Sequence, residues 1–273
     1  MQKYFALVVI SILSTQAFSQ RSVDSMIRTE KNFANTSLVV STREAFIKFI
    51  DSAGIVFEKG KPVNGLDLYT KSERRPGILT WEPEYAEIAA TNDFGYTTGP
   101  WKYYANSIKE KPAAIGYFVT VWHLTPRHQW RFLIDFGITC AKEKRKIALR
   151  KRRGGNVKLA KQDMALCTDA EEKFIQAYAA QGVKAYNSFL SSQSRINYSG
   201  FLPATTAEER KALLDSLPLN INYTVVGSGM SPMKDLGYVY GSAAVNDKQD
   251  GYLRIWRREE NGWRIAVEVL HFK

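Results

Sequence analysis

Apolar residues recur at two spacings along this chain, and the switch between them happens twice in the same order. After Ser41-Thr42-Arg43-Glu44, a capping box, Phe46, Ile47 and Ile50 fall on one helical face. Much later, Thr168-Asp169-Ala170-Glu171, a second capping box, opens another such run. Phe174, Ile175, Tyr178 and Ala179 carry it, and Gly182 is the predicted stop. Thr206 to Glu209 forms another capping box, with Leu213 and Leu214 inward. Between and after these helices the period drops to two. Tyr117 to Leu124 and Gln129 to Phe136 read as an antiparallel hairpin turning near Pro126. Tyr252 to Arg258 and Trp263 to Phe272 read as a second hairpin across Asn261-Gly262. Helices followed by an antiparallel meander predict an α+β fold, with helices packed on one face of a curved sheet.

The two runs are copies. Asp93-Phe94-Gly95-Tyr96-Thr97-Thr98-Gly99 matches Asp235-Leu236-Gly237-Tyr238-Val239-Tyr240-Gly241 as D-x-G-Y-x-x-G. Gly116-Tyr117, Trp122 and Trp130-Arg131 with Asp135 match Gly251-Tyr252, Trp256 and Trp263-Arg264 with Glu268. Order, spacing and residue type agree, which predicts two tandem cone-like domains at 22–140 and 168–273, each with N-terminal helices on a curved antiparallel sheet. Residues 141–167 are the predicted basic linker between them.

Charge changes the picture only locally. The formal net charge is +11, yet residues 141–161 hold ten Lys or Arg against one Glu. The basic character therefore belongs to one segment, read as a solvated linker or as an arm for an anionic surface. It lacks aromatic residues, which argues against single-strand nucleic-acid binding. Cys140 and Cys167 bracket it, so they are either a disulfide that staples its base or two buried thiols. Residues 1–19 carry Lys3, an apolar run from Tyr4 to Leu13, and Ala17-Phe18-Ser19, the pattern of a secretory signal peptide. The expected mature protein is exported, to periplasm or extracellular space, and soluble. With 45% hydrophobic and 24% charged residues, the chain is too apolar for a disordered protein. Three histidines and two cysteines leave little for a zinc site, and no nucleotide fingerprint or nucleophile elbow occurs.

The repeated motifs, together with Trp81-Glu82-Pro83 and Asp135-Phe136-Gly137, resemble the nuclear transport factor 2-like superfamily, in particular an exported branch of it. That superfamily includes ketosteroid isomerases and polyketide cyclases. The resemblance implies a conical pocket between helices and sheet, and pairing of cones through their sheets, either within one chain as a pseudo-dimer or as a homodimer. It also implies that a carboxylate in the cone acts as a base in the isomerases, which makes Asp135 and Glu268 the catalytic candidates; the alternative is that each serves a structural network. Trp81, Tyr96, Trp122 and Tyr238 are the candidate ligand-binding aromatics, with core packing as the alternative. The expected function is binding of a small apolar or amphipathic ligand, without catalysis or cofactor. An acid–base isomerase or cyclase, and an anionic-surface binder working through residues 141–161, are the alternatives.

Overall fold

Ser22 and Ser41 start the fold by capping the first two helices. Ser22 Oγ accepts from Ser25 N at 3.1 Å and Ser41 Oγ from Glu44 N at 3.1 Å, each relieving an otherwise orphaned amide. The helices are α1 (Val23–Val39) and α2 (Thr42–Phe49). This is a computed structural model, and it describes residues 21–272 except 75, 144–146, 155–165 and 219. The predicted signal segment at 1–19 lies outside the described residues.

The first half continues through β1 (Ile50–Glu58), β2 (Lys61–Asn64), α3 (Gly65–Lys71), β3 (Ile78–Trp81), β4 (Tyr85–Ile88), β5 (Phe94–Tyr104), β6 (Ala114–Leu124) and β7 (Trp130–Thr139). The second runs α4 (Cys167–Gln181), a 3-10 turn (Gly182–Ala185), α5 (Tyr186–Phe189), β9 (Leu190–Tyr198), α6 (Ala207–Leu214), β10 (Asn222–Met230), β11 (Leu236–Val245), β12 (Lys248–Glu259) and β13 (Gly262–Leu270). Between them, β8 (Arg150–Arg153) pairs in parallel with β4. The sheet orders are β2-β1-β7-β6-β5-β4-β8, with β3 also on β5, and β10-β11-β12-β13-β9. In each sheet the strand after the second helix lies parallel to the last strand, and the rest is an antiparallel meander. The fold is α+β, and the order β4-β5-β6-β7-β1 within the first sheet recurs as β10-β11-β12-β13-β9 in the second, with β2, β3 and β8 added to the first.

Several local expectations shift. Helix α4 starts before Thr168: Asp169 Oδ2 accepts from Leu166 N at 2.7 Å, so an aspartate reaching back, and not a threonine cap, closes its N-terminus. Thr206 caps α6 as the sequence indicates, and Gly262 takes φ +97° in the β12–β13 turn, a conformation glycine adopts without strain. The basic segment is not wholly a solvated strap. Lys151 Nζ lies 2.5 Å from Asp24 Oδ1, and Arg152 Nη1 donates to Gln193 Oε1 at 2.6 Å, tying β8 to both halves. The two thiols are not bonded. Cys140 Sγ donates to the Phe201 carbonyl at 3.0 Å, whereas Cys167 is fully buried in the second half's core.

Each sheet has two different faces, as period-two alternation requires. One packs on its own helices: Met26, Ile27, Phe33 and Phe46 meet Trp122, Trp130 and Phe132 in the first half, and Phe174, Tyr178 and Tyr186 meet Trp256, Trp263 and Ile265 in the second. The other faces meet each other. Tyr96, Val119, Val121, Ile134 and Ile138 pack against Leu236, Tyr238, Leu253, Ile255, Val267 and Val269. Charged groups seal one end of this seam. Arg257 forks onto Glu87 through two 2.5 Å hydrogen bonds, Arg195 Nη1 reaches Glu84 Oε1 at 2.5 Å, and Asp235 Oδ2 accepts from Ala90 N at 2.7 Å.

A bulge recurs in the last strand of each half. Val121 faces Ile134 but Trp122 faces Phe132; Ile255 faces Val267 but Trp256 faces Ile265. The extra residue turns Leu133 and Ile134, and likewise Ala266 and Val267, toward the seam. Simple alternation groups Asp135 with Arg131 and Leu133; the bulge instead places Asp135 on the cone side with Phe132, and Glu268 with Ile265.

Candidate functional site

The first cone is open. A cavity of about 910 Å³ lies between α2, α3 and the concave face of β5–β7, and it extends to the seam, where Asp250 and His271 border it. Phe33, Phe46, Tyr69, Trp81, Trp101 and Phe118 line it, and Asp135 on β7 and Glu58 at the end of β1 are carboxyls on its sheet side. Thr120 Oγ1 donates to Asp135 Oδ2 at 2.7 Å from the directly paired position on β6. Burial pushes the Asp135 pKa up to about 7; the Thr120 hydrogen bond pulls against this and nearby Glu30 adds to it.

Behind this wall sits a second carboxyl that sequence reasoning missed. Glu30, on the apolar face of α1, is fully buried. Trp81 Nε1 donates to it at 2.6 Å, Trp122 Nε1 at 3.0 Å, and the Thr97 hydroxyl donates as well. Burial raises its pKa, against the pull of those donors. The donors around Glu30 are neutral, and the group facing Asp135 is a threonine, so the cone gathers two carboxyls without a bonded cation among the described residues.

The second cone is built on the same plan but is occupied from within. Glu171 on α4 accepts from Trp256 Nε1 at 2.9 Å and from the Tyr252 hydroxyl at 3.0 Å. Glu268 on β13 stands directly across from Arg254 on β12, as Asp135 stands across from Thr120. Arg254 is fully buried, donates to Glu171, and reaches Glu268 Oε1 through Nε at 3.2 Å and Nη2 at 2.9 Å. Its guanidinium lies 4.2 Å from the Phe174 ring centroid, 4.1 Å from that of Tyr223 and 4.7 Å from that of Tyr252. Burial alone would lower its pKa; Glu171 and Glu268 outweigh that and keep it firmly charged.

The sequence candidates therefore separate. Asp135 and Trp81 meet at the open cavity, with Trp101 beside them. Trp122 is fully buried behind the cavity, bonded to Glu30. Tyr96 and Tyr238 belong to the seam: Tyr96 donates to Glu87 Oε2 at 2.8 Å, and Tyr238 stacks near Phe94 with centroids 6.2 Å apart. Glu268 is locked to Arg254. Asp235 Oδ1 accepts from Ser231 Oγ at 2.6 Å and so holds the turn before β11. The thiols are shielded rather than poised to react, since burial pushes Cys140 up to about 11 and Cys167 up to about 12. Among the described residues there is no group of three or more His, Cys, Asp or Glu side chains arranged to hold a metal, and no helix is long and apolar enough to cross a membrane.

No family model matches the chain, and no curated protein matches it. Solved structures do. A ketosteroid isomerase-like protein from Erwinia carotovora atroseptica SCRI1043 is 14% identical over 40% of this chain and 95% of its own, with a TM-score of 0.33. Nuclear transport factor 2 from Cryptosporidium parvum is 10% identical over 39% of this chain and 90% of its own, with a TM-score of 0.33. A protein with a cystatin-like fold from Nostoc punctiforme PCC 73102 is 13% identical over 42% and 94%, with a TM-score of 0.32. The solved structures similar to this chain are thus nuclear transport factor 2-like, ketosteroid isomerase-like and cystatin-like proteins, each spanning about two fifths of it, while the pair of helix-and-sheet cones is defined by the chain's own strand order.

Proposed function

We propose that the protein is an exported, non-catalytic binder of a small apolar or amphipathic molecule, and that the first cone is its binding site. The observation that carries this is the cavity itself: about 910 Å³, walled largely by aromatic rings, with Asp135 among its charged lining residues. Ligand pockets commonly span roughly 300–1,000 Å³ and combine an apolar lining with a few polar anchors. Export rests on the signal pattern at the N-terminus. Thermal-shift titration against indoles, steroids, flavonoids and medium-chain lipids tests the reading. At least one class is expected to raise Tm, and Gly137→Leu is expected to abolish the effect. Gly137 borders the cavity, and a Cβ there meets the Trp101 side chain at Nε1 at 3.2 Å, a tight contact to which Trp101 must yield slightly, so the added side chain takes up cavity space beside that ring. No stabilisation by any class would sink the reading.

A second reading is supported by Asp135, whose pKa of about 7 suits a general base. An isomerase- or cyclase-like enzyme would then remove a proton next to a ligand carbonyl. Solvent-deuterium incorporation into a bound ketone, lost in Asp135→Asn, supports it; equal incorporation with and without the carboxyl rules it out. Contact with an anionic surface through residues 141–161 would fall, on β8, to its exposed members Arg150, Lys151 and Arg153, of which Lys151 is already engaged by Asp24. Liposome binding unchanged after Arg150→Gln and Arg153→Gln would reject that contact.

A further inference from the structure

The two cones are built from matching parts, and one of them shows what the other is missing. Pairing register, not sequence similarity, fixes the correspondence. Thr120 faces Asp135 as Arg254 faces Glu268, and Gly99 faces Phe118 as Gly241 faces Tyr252. Trp122 and Trp256 each donate an indole N–H to a buried helical glutamate, Glu30 or Glu171, and one turn further along lies Phe33 or Phe174. Phe33 stands edge-on to Phe46 at 4.9 Å, and Phe174 edge-on to Tyr186 at 4.9 Å. The three rings against the Arg254 guanidinium are Phe174, Tyr223 and Tyr252. Their counterparts Phe33, Trp81 and Phe118 line the open cavity.

The second cone is therefore an aromatic cage with two carboxyls around a cation that the chain itself supplies. The first cone keeps the cage and both carboxyls but has Thr120 where the cation-bearing side chain would start. We infer that the first cone takes a small organic cation, a guanidinium or ammonium group on an apolar ring, seated against Asp135 and walled by Phe33, Trp81 and Phe118. This rests on the reading of that cavity as a ligand site and names the chemical class of the ligand. Three features agree with it. Aromatic faces attract a desolvated cation. Among the described residues no cation is bonded to Asp135, and Arg43, which also borders the cavity, is held by Glu44 and the Thr70 and Ser72 carbonyls, so the Asp135 carboxyl gains most from an opposite charge that arrives with the ligand. The cavity, unlike the space around Arg254, is large enough for a ring in addition to the charged group.

Phenylguanidine and phenylurea give the test, since they share a shape and differ in charge. Isothermal titration at pH 8 with the full mature chain should show phenylguanidine binding at least about tenfold tighter, equivalent to about 1.4 kcal/mol. Asp135→Asn should erase that preference. Thr120→Arg, which supplies an internal guanidinium, should abolish phenylguanidine binding. If wild-type protein binds phenylurea as tightly as phenylguanidine, the cation assignment is overturned and the apolar pocket survives. If neither binds and the apolar panel gives no shift, the pocket reading falls and takes the inference with it. Retention of the preference in Asp135→Asn also overturns it. Nα-acetyl-arginine N-methylamide serves as the peptide-side-chain probe: weaker binding than phenylguanidine supports a ring-bearing small molecule, and tighter binding overturns that part.

Discussion

One position separates the two cones. Where β6 carries Thr120, β12 carries Arg254, and everything else about the sites follows from that difference. In the second cone the guanidinium neutralises Glu171 and Glu268, fills the centre and stacks on three rings, so the interior serves stability. In the first cone a short hydroxyl is the hydrogen-bond donor to Asp135 among the described residues, Glu30 is left to neutral donors, and space remains. A duplicated fold can thus keep one copy solid and the other receptive without altering its backbone plan. Proteins concentrate perturbed ionisable groups where function needs them. Here the shifted Asp135 faces an opening, whereas the closed copy holds its acids in a buried ion pair with Arg254.

The comparison breaks hardest at Arg254. Arg254→Met would leave Glu171 and Glu268 buried without a counter-charge, which costs about 3–5 kcal/mol. Urea denaturation at pH 7 should show that loss. Adding Glu171→Gln and Glu268→Gln should recover most of it, because the cost lies in the orphaned charges and not in the missing contact. The reverse change, Thr120→Arg, should stabilise the first cone by about 1–2 kcal/mol, since it brings a cation to acids that are already buried. That corresponds to roughly 2–8 °C in Tm for a chain of this size. A fall in Tm would mean that the cage around Asp135 does not accommodate what its twin does.

Acid–base behaviour sharpens the contrast with a smaller effect. The pKa of Asp135 is raised in the folded state to about 7, from an ordinary 3.8. At about pH 4 the group is protonated when folded and only about half ionised when unfolded, so its effect on stability there is small, and it vanishes at lower pH. As pH rises toward 7 the unfolded chain ionises while the folded one resists, so stability is lost across that window and the penalty is complete above it. Asp135→Asn should therefore be nearly neutral at pH 4 and stabilising at pH 8, by on the order of 1 kcal/mol or more, since a tenfold change in proton affinity is worth about 1.4 kcal/mol. Glu30 on α1 shifts in the same direction and remains in the variant, so part of the pH slope persists. Arg43, Glu58, Lys59, Glu73, Asp250 and His271 border the same cavity, and the difference between variant and wild type cancels what they contribute. Tm measured from pH 4 to 8 for both proteins checks this.

What the sequence revealed of this arrangement was its local part. The caps at Ser41 and Thr206, the Asn261-Gly262 turn and the repeated D-x-G-Y motif each depend on residues a few positions apart, and the pairing of the two copies follows from them. Asp135 and Trp81 were legible as candidates because they stand out from their strands. The bulge was not, since one extra residue leaves no compositional mark, and without it the inward side of β7 is misassigned. The buried glutamates left a fainter signal. Glu30 falls on the apolar stripe of Val23, Met26, Ile27 and Phe33, and Glu171 on that of Cys167, Phe174 and Tyr178. Arg254 alternates inward with Tyr252 and Trp256. A charge on an apolar stripe must find a partner inside, so these three residues together point to a buried ion pair in one copy. Reading the first copy at the same positions shows the missing member. Tyr96 and Tyr238 look like pocket residues for the opposite reason: aromatic residues at strand spacing suit either face, and only the meeting of the two sheets decides.

The finest test concerns the hydroxyl of Thr120 itself. Thr120→Val keeps the shape of the side chain and removes the donor to Asp135 Oδ2. A hydrogen bond of this kind contributes about 1 kcal/mol, and more when its acceptor is ionised. The expected loss of stability is accordingly larger at pH 8, where Asp135 is mostly charged, than at pH 5, where it is mostly neutral. Because the hydroxyl favours the ionised carboxyl, its removal should also move the Asp135 titration further up, readable from the carboxyl carbon chemical shift. An organic cation should bring the same titration down in wild type and variant alike. A titration that ignores Thr120→Val would mean that the hydroxyl donates elsewhere and that position 120 does not set the difference between the cones.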